Sequence, residues 1–321
     1  MQIITASQIF DRFTVGSFIA PLEAAMRDVS AGRATHPPRH AVPVGGGRGR
    51  MGVMYGALGD PAIHGAKILS LFPGAPAMGL SSHQGMVMLF ESEFGRPLAA
   101  LDADALTALR TAAASMMATR ALARPDPRVF AICGAGEQAE WHLRGVLESF
   151  APEEVRLWAR RPDAAEALAR RMPESDVRVR AVATLEEALQ GAEVVTTATV
   201  AREAFLPGAL LEPGQHVNLV GASLADAREI DDAGVARLTM FTDSAESASR
   251  EAGEILEARA AGAIPPDYPV TEIGAVLAGD APGRRDADQI TGYKSHGLIV
   301  QDLAAGWHVV QALTGAGTAA V

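Results

Sequence analysis

At 321 residues the chain is long enough for two domains, each burying its own core. Its 48% apolar and 21% charged residues are those of a globular protein, and a net charge of −10 argues against nucleic acid or an anionic membrane as the main partner. No apolar run approaches the roughly 20 residues of a membrane span, Asp11 and Arg12 interrupt any signal-peptide pattern, and the single cysteine, Cys133, excludes an internal disulfide; the expected compartment is the cytoplasm.

In chain order, apolar residues first recur at helical spacing over 15–32 (Phe18, Leu22, Ala25, Met26, Val29), and Gly32 closes that helix. His36-Pro37-Pro38-Arg39 then leads into a strand over 40–44. The glycine cluster at 45–49 reads as a turn and not as a phosphate loop, because no Lys-Ser/Thr pair follows it. Strands over 51–55, 63–71, 86–91 and 97–101, separated by Gly, Pro and Asp turns, predict an antiparallel meander. A long helix follows over 103–123, and Arg124-Pro125-Asp126-Pro127 breaks it, which sets the expected domain boundary.

Residues 129–133 then form a short apolar run of the kind found in a buried central strand. Gly134, Gly136 and Ala139 follow at the G-x-G-x-x-A spacing. The first glycine permits the tight turn, the second lets a pyrophosphate approach the backbone, and the small third residue lets the helix pack on the strand. That helix would present its free N–H groups to the anion, with Glu137 and Gln138 in its first turn. A second strand over 154–158 ends in Ala159-Arg160-Arg161-Pro162. An acidic residue there would bind the ribose hydroxyl of NAD, whereas Arg160 and Arg161 suit a 2′-phosphate, so the expected cofactor is NADPH in preference to NADH.

Further strands over 177–182, 194–197, 216–220 and 238–242 alternate with helices, which implies a doubly wound parallel sheet. Ligands of such sheets gather at the carboxyl ends of the strands, so Thr197, Ala198, Thr199, Val220 and Gly221 are expected along the cofactor crevice. A short helix over 272–277 and a last one over 297–313 complete the chain. Of 28 basic residues only Lys67 and Lys294 are lysines, which singles out both as positions where a compact or titratable amine is required. No metal-ligand cluster stands out.

The strings Gly65-Ala-Lys67, Ser82-His-Gln84, Leu101-Asp102, Ala108-Leu-Arg-Thr-Ala-Ala113, Gly134-Ala-Gly-Glu-Gln-Ala139, Val220-Gly-Ala222 and Tyr293-Lys-Ser295 resemble the ornithine cyclodeaminase and mu-crystallin family. The resemblance runs in the right order over nearly the whole chain. It implies an α/β fold in which a Rossmann doubly wound parallel sheet (125–292) is inserted into an α+β substrate-binding and dimerisation domain (1–124, completed by 293–321). It also implies a homodimer and hydride transfer between a nicotinamide and the carbon of a small imino or amino acid. By the same resemblance Arg39, Lys67 and Arg110 hold the substrate carboxylate, Lys67 is the catalytic candidate as a proton donor to the imine nitrogen, and Thr111 joins the cofactor set. His83 is expected to pack between strands, and Lys294 to play a structural part.

One departure sharpens the function. Cyclodeaminases and related alanine dehydrogenases have an Asp two residues after the Val-Gly pair, where this chain has Ser223. A hydroxyl is no anionic base for an ammonium near neutral pH. Ketimine reductases of the family resemble this chain in having Ser there, with an Arg-Glu pair nearby (Arg228-Glu229). The expected activity is therefore reduction of a cyclic ketimine 2-carboxylate, Δ1-pyrroline-2-carboxylate or Δ1-piperideine-2-carboxylate. The alternatives are an amino-acid or N-substituted amino-acid dehydrogenase of the alanine dehydrogenase or opine type, then an ornithine cyclodeaminase, or a non-catalytic protein that binds NADPH and a small ligand.

Overall fold

The computed structural model describes residues 1–172 and 176–315. Two compact units divide the chain, residues 1–110 with 297–321 and residues 111–296, so the second is an insertion in the first.

The first unit is built on a six-stranded sheet of β1 (Gln2–Ile4), β2 (His40–Val44), β3 (Gly49–Leu58), β4 (Ile63–Leu71), β5 (His83–Glu91) and β6 (Pro97–Asp102), in the order β1-β6-β5-β4-β3-β2. From β2 to β6 it is the expected antiparallel meander. β1 was not expected and pairs parallel to β6; three residues are too few for an alternation to be read. Along β4 the alternation is plain: Ile63, Gly65 and Lys67 are buried while Ile68 and Ser70 are exposed.

The buried face is covered by the helix Ile299–Thr314, which packs on β3, β4 and β5 and against the helix Ile19–Ser30. The close approach explains two glycines. A Cβ at Gly65 would lie 2.9 Å from Leu303 Cδ2 and 2.0 Å from the Met88 carbonyl oxygen, and one at Gly56 would lie 2.7 Å from Ile299 Cγ2. Gly65 thus lets the helix down onto the strand two residues before Lys67, on the same face.

The second unit is an eight-stranded, all-parallel sheet of β7 (Val129–Cys133), β8 (Glu154–Trp158), β9 (Arg178–Ala181), β10 (Val194–Thr197), β11 (His216–Leu219), β12 (Thr239–Thr242), β13 (Val270–Glu272) and β14 (Thr291–Lys294). The order is β13-β12-β14-β11-β10-β7-β8-β9. It is the doubly wound sheet that the alternation implies, and the strand order reverses between β7 and β10, which opens a crevice at their carboxyl ends. β13 and β14 escape the sequence pattern because one has three residues and the other, Thr-Gly-Tyr-Lys, carries neither an apolar run nor an alternation.

The boundaries differ from the expected 124/125 and 292/293, for two physical reasons. The helix Ala103–Leu122 does not belong to the first unit throughout: in its second half Ser115 Oγ bonds His142 Nε2 at 2.8 Å and Thr119 Oγ1 accepts from Asn218 Nδ2 at 3.0 Å, both in the second unit. β14 pairs with β11 and β12, which takes residues up to His296 into the second unit as well. Residues 316–321 of the expected C-terminal span lie outside the described residues.

Candidate functional site

In the first unit the structure gathers two of the three expected carboxylate ligands around a carboxylate of its own. Lys67, on the buried face of β4, donates from Nζ to Thr107 Oγ1 and to Asp302 Oδ1 at 3.1 Å. Arg110 donates from Nε to the same Asp302 oxygen at 3.0 Å and from Nη1 to Gln301 Oε1 at 3.0 Å. Lys67 is 2% exposed, Arg110 5%, and Asp302 and Gln301 are fully buried. Gly297, at φ +75°, makes room for the guanidinium: a Cβ there would lie 2.8 Å from Arg110 Nη1. Arg39, half-buried before β2, is the third expected ligand and is near enough to act on Lys67 electrostatically. Burial lowers the Lys67 pKa from 10.5 to about 8; Arg110 and Arg39 push the same way, and Asp302 opposes them. An amine of that pKa exchanges a proton near neutral pH, and the cluster of two buried cations on one buried carboxylate suits an anion.

The second unit carries the glycine turn as the spacing implies. Gly134 has φ +139°, and a Cβ on it would lie 2.3 Å from the Ala198 carbonyl oxygen, so only glycine fits between the ends of β7 and β10. At Gly136 a Cβ would meet nothing of the chain. Glycine there is not required by packing, which leaves approach of a ligand to the backbone as its use. Gly136 is also the N-cap of the helix Glu137–Ser149 and, being glycine, caps it with no side chain of its own. Two side-chain oxygens of the same unit are buried without a partner, Thr111 Oγ1 and Gln138 Oε1, both in the expected cofactor set. The open turn and these orphaned oxygens fit a dinucleotide. Arg160 and Arg161 follow β8, both exposed, and neither side chain is engaged by a hydrogen bond or ion pair among the described residues.

The expected crevice residues Thr197, Thr199 and Gly221 are drawn together by a residue that the motifs do not place in the site. Glu229, fully buried, accepts from Thr197 Oγ1 at 2.7 Å, from Thr199 N at 2.9 Å and Oγ1 at 2.7 Å, and from Gly221 N at 2.7 Å. The two threonine hydroxyls and the Gly221 N–H are thus committed to this carboxylate. They shape the carboxyl ends of β10 and β11, while Ala198 and Val220 are buried beside them and Ser223 is half-buried just beyond. The Arg228 of the Arg-Glu pair turns elsewhere, to Asp232 at 2.5 Å and Glu257 at 3.0 Å.

Lys294, expected to play a structural part, finds its partners within the second unit. Fully buried on β14, its ammonium binds Glu254 Oε1 at 2.9 Å and the Ala222 carbonyl, anchoring the loop that carries Ser223. His83 departs from expectation: it does not pack between strands but stands exposed at the start of β5, with Nδ1 2.9 Å from Ser82 Oγ. Asp302 and Gln301 were also missed, although two adjacent polar residues in an otherwise apolar helical stretch are a readable signal of buried polar work. Among the described residues no group of three or more His, Cys, Asp and Glu could hold a metal ion, and no helix is long and apolar enough to cross a membrane.

Comparison with known proteins covers both units. The family model described as the ornithine cyclodeaminase/mu-crystallin family matches residues 2–317. The chain is 37% identical over 308 residues to the ketimine reductase mu-crystallin of Mus musculus, 94% of each chain. It is 36% identical over 255 residues to a Delta(1)-pyrroline-2-carboxylate reductase of Paracoccus denitrificans, covering 78% of this chain and 80% of that one. Its fold matches the structure of Thermococcus litoralis Delta(1)-pyrroline-2-carboxylate reductase in complex with NADH and L-proline with a TM-score of 0.92, at 30% identity and over 100% of both chains.

Proposed function

The chain belongs to the ornithine cyclodeaminase/mu-crystallin family, and on that premise we propose that it is an NADPH-dependent reductase of a cyclic ketimine 2-carboxylate. The substrate is Δ1-pyrroline-2-carboxylate or Δ1-piperideine-2-carboxylate, and the product is the cyclic amino acid. The observation that carries the reading is the buried Lys67–Asp302–Arg110 cluster. Two buried cations on one carboxylate leave a positive charge that folding does not require and that a substrate carboxylate neutralises.

In this reading Lys67, Arg110 and Arg39 hold the substrate carboxylate through charge-assisted donors and so fix the position of C2. Bound NADPH supplies the hydride that C2 accepts. The imine nitrogen takes a proton in the same reduction, and Lys67 can hold one at Nζ, since its pKa of about 8 leaves it mostly protonated at neutral pH. Ser223 supports reduction over cyclodeamination, because an imine that arrives already formed needs no anionic base to strip an ammonium. NADPH rests on Arg160 and Arg161; the Thermococcus litoralis relative is described with NADH. Pairing into a homodimer uses the uncovered face of the first sheet, where Val42, Met51, Tyr55 and Ile68 are 57%, 42%, 46% and 36% exposed.

The test is loss of reduced-nicotinamide absorbance with each of the two cyclic imines, with ornithine plus oxidised cofactor in parallel. Turnover of an imine is the expected result. Ammonia release from ornithine, with both imines inert, would overturn the reading of Ser223.

A further inference from the structure

Asp302 has no place in the carboxylate clamp as described, since an anion repels the group the clamp is built to hold. Its geometry gives it another one. It is fully buried on the helix Ile299–Thr314, and a single oxygen, Oδ1, receives both Lys67 Nζ at 3.1 Å and Arg110 Nε at 3.0 Å. The other oxygen, Oδ2, is buried and accepts nothing. Its neighbour Gln301 holds the second arm of Arg110, and Thr107 holds the second bond of Lys67. Three elements, β4 and the two helices Ala103–Leu122 and Ile299–Thr314, thus meet at one carboxylate oxygen.

We propose that Asp302 is the positioning residue of the clamp: it locks Lys67 and Arg110 at a fixed separation and direction, and its charge keeps the Lys67 amine protonated at working pH. The inference rests on the reductase reading for the identity of the bound carboxylate and goes beyond it in naming the residue that sets the clamp's geometry and charge. The physical need is clear. Two cations crowded in a dry site repel each other, and both would bend toward the anion unevenly unless a third charge tied them. The groups that act on Lys67 are few. Asp302 is the anion that bonds it, Arg110 and Arg39 are the opposing cations, and His83 and Asp104 lie at longer electrostatic range. Of these, Asp302 is the one that both bonds Lys67 and raises its pKa, against burial and both arginines, which lower it.

The scarcity of lysine makes this directly measurable. The sequence has two lysines, so a sample labelled with carbon-13 at the lysine ε-carbon gives two signals in the full-length protein, and a Lys67→Met sample assigns them. In the wild type the Lys67 signal titrates near its pKa of about 8. In Asp302→Asn, which keeps the shape and loses the charge, that titration moves down by about one pH unit or more. The alkaline limb of kcat/KM moves with it, and at pH values above the new pKa KM for the imine rises more than kcat falls. In Asp302→Glu the charge is kept and its place shifted by one methylene, so the titration stays close to the wild type while KM rises about tenfold. An unchanged Lys67 titration in Asp302→Asn overturns the proposal. Should that variant not fold, a wild-type KM in Asp302→Glu overturns it instead. Wild-type protein inert toward both imines would sink the reductase reading alone, because the titration arm needs no turnover.

Discussion

Lys67 illustrates what a buried charge costs a fold. Its pKa is lower folded than unfolded, about 8 against 10.5, so the ammonium form is disfavoured by folding. The cost is fully present below about pH 8, amounts to about 3 kcal/mol, and is relieved as the pH rises toward 10.5. A residue kept at that cost has a task other than stability. Arg160 is the opposite case, exposed and without a partner among the described residues, so its loss leaves the fold alone. Arg160→Ala is expected to raise KM for NADPH about tenfold or more and to leave KM for NADH within about twofold, measured by initial rates with each cofactor. Equal effects on both cofactors would remove the 2′-phosphate reading. At this scale much was legible in the sequence: the scarcity of lysine marks Lys67 and Lys294 from composition alone. Asp302 was not legible, because what makes that residue important is a contact with Lys67 across 235 positions.

At the scale of the element, the ends of β10 and β11 are held by one carboxylate. Glu229 satisfies Thr197, Thr199 and Gly221 at once, and a Cβ at Gly221 would sit 2.5 Å from its Oε1. Removing it strands four donors in a buried place, each of which costs on the order of 1–3 kcal/mol. Glu229→Ala is expected to lower the melting temperature by several degrees and to weaken NADPH binding by about tenfold, read by calorimetry with and without cofactor. Unchanged affinity would mean that the strand ends keep their shape without it. The strands themselves were legible wherever an apolar run or an alternation of five residues or more existed, as in β4, β7 and β8. β1 and β13 were not, being three residues long, and nor was β14, whose Thr-Gly-Tyr-Lys is neither an apolar run nor an alternation.

At the scale of the molecule, acid stability should be set by two buried histidines of the second unit. Burial lowers the pKa of His142 from 6.5 to about 4 and that of His216 from 6.5 to about 3. Both stay neutral when folded but take a proton when unfolded, so their contribution is intact above about pH 6.5 and is lost as the pH falls toward 4 and 3. At about pH 5 the two together remove about 4 kcal/mol. Glu91, held at about 2 against the usual 4.5 chiefly by backbone N–H donors at its carboxylate, adds to the loss below its ordinary range. Urea midpoints at neutral pH and near pH 5 check this, and a flat profile would contradict it. The proposed pairing through the uncovered sheet face makes a second prediction at this scale: Tyr55→Glu with Ile68→Glu is expected to lower the sedimentation coefficient from that of a dimer to that of a monomer, and an unchanged coefficient would overturn pairing through this face. The order of the motifs made the insertion legible, but its boundaries were not, because the helix Ala103–Leu122 shows no break where its partners change.

The most direct measurement of the central claim follows the hydride itself. The protein is supplied with NADPH carrying deuterium at the transferable position of C4 and with each cyclic imine in turn, and the product is read by mass spectrometry and NMR. One deuterium on C2 of the cyclic amino acid is the predicted result. Product without deuterium at C2, or no product from either imine while ornithine yields ammonia, would contradict it.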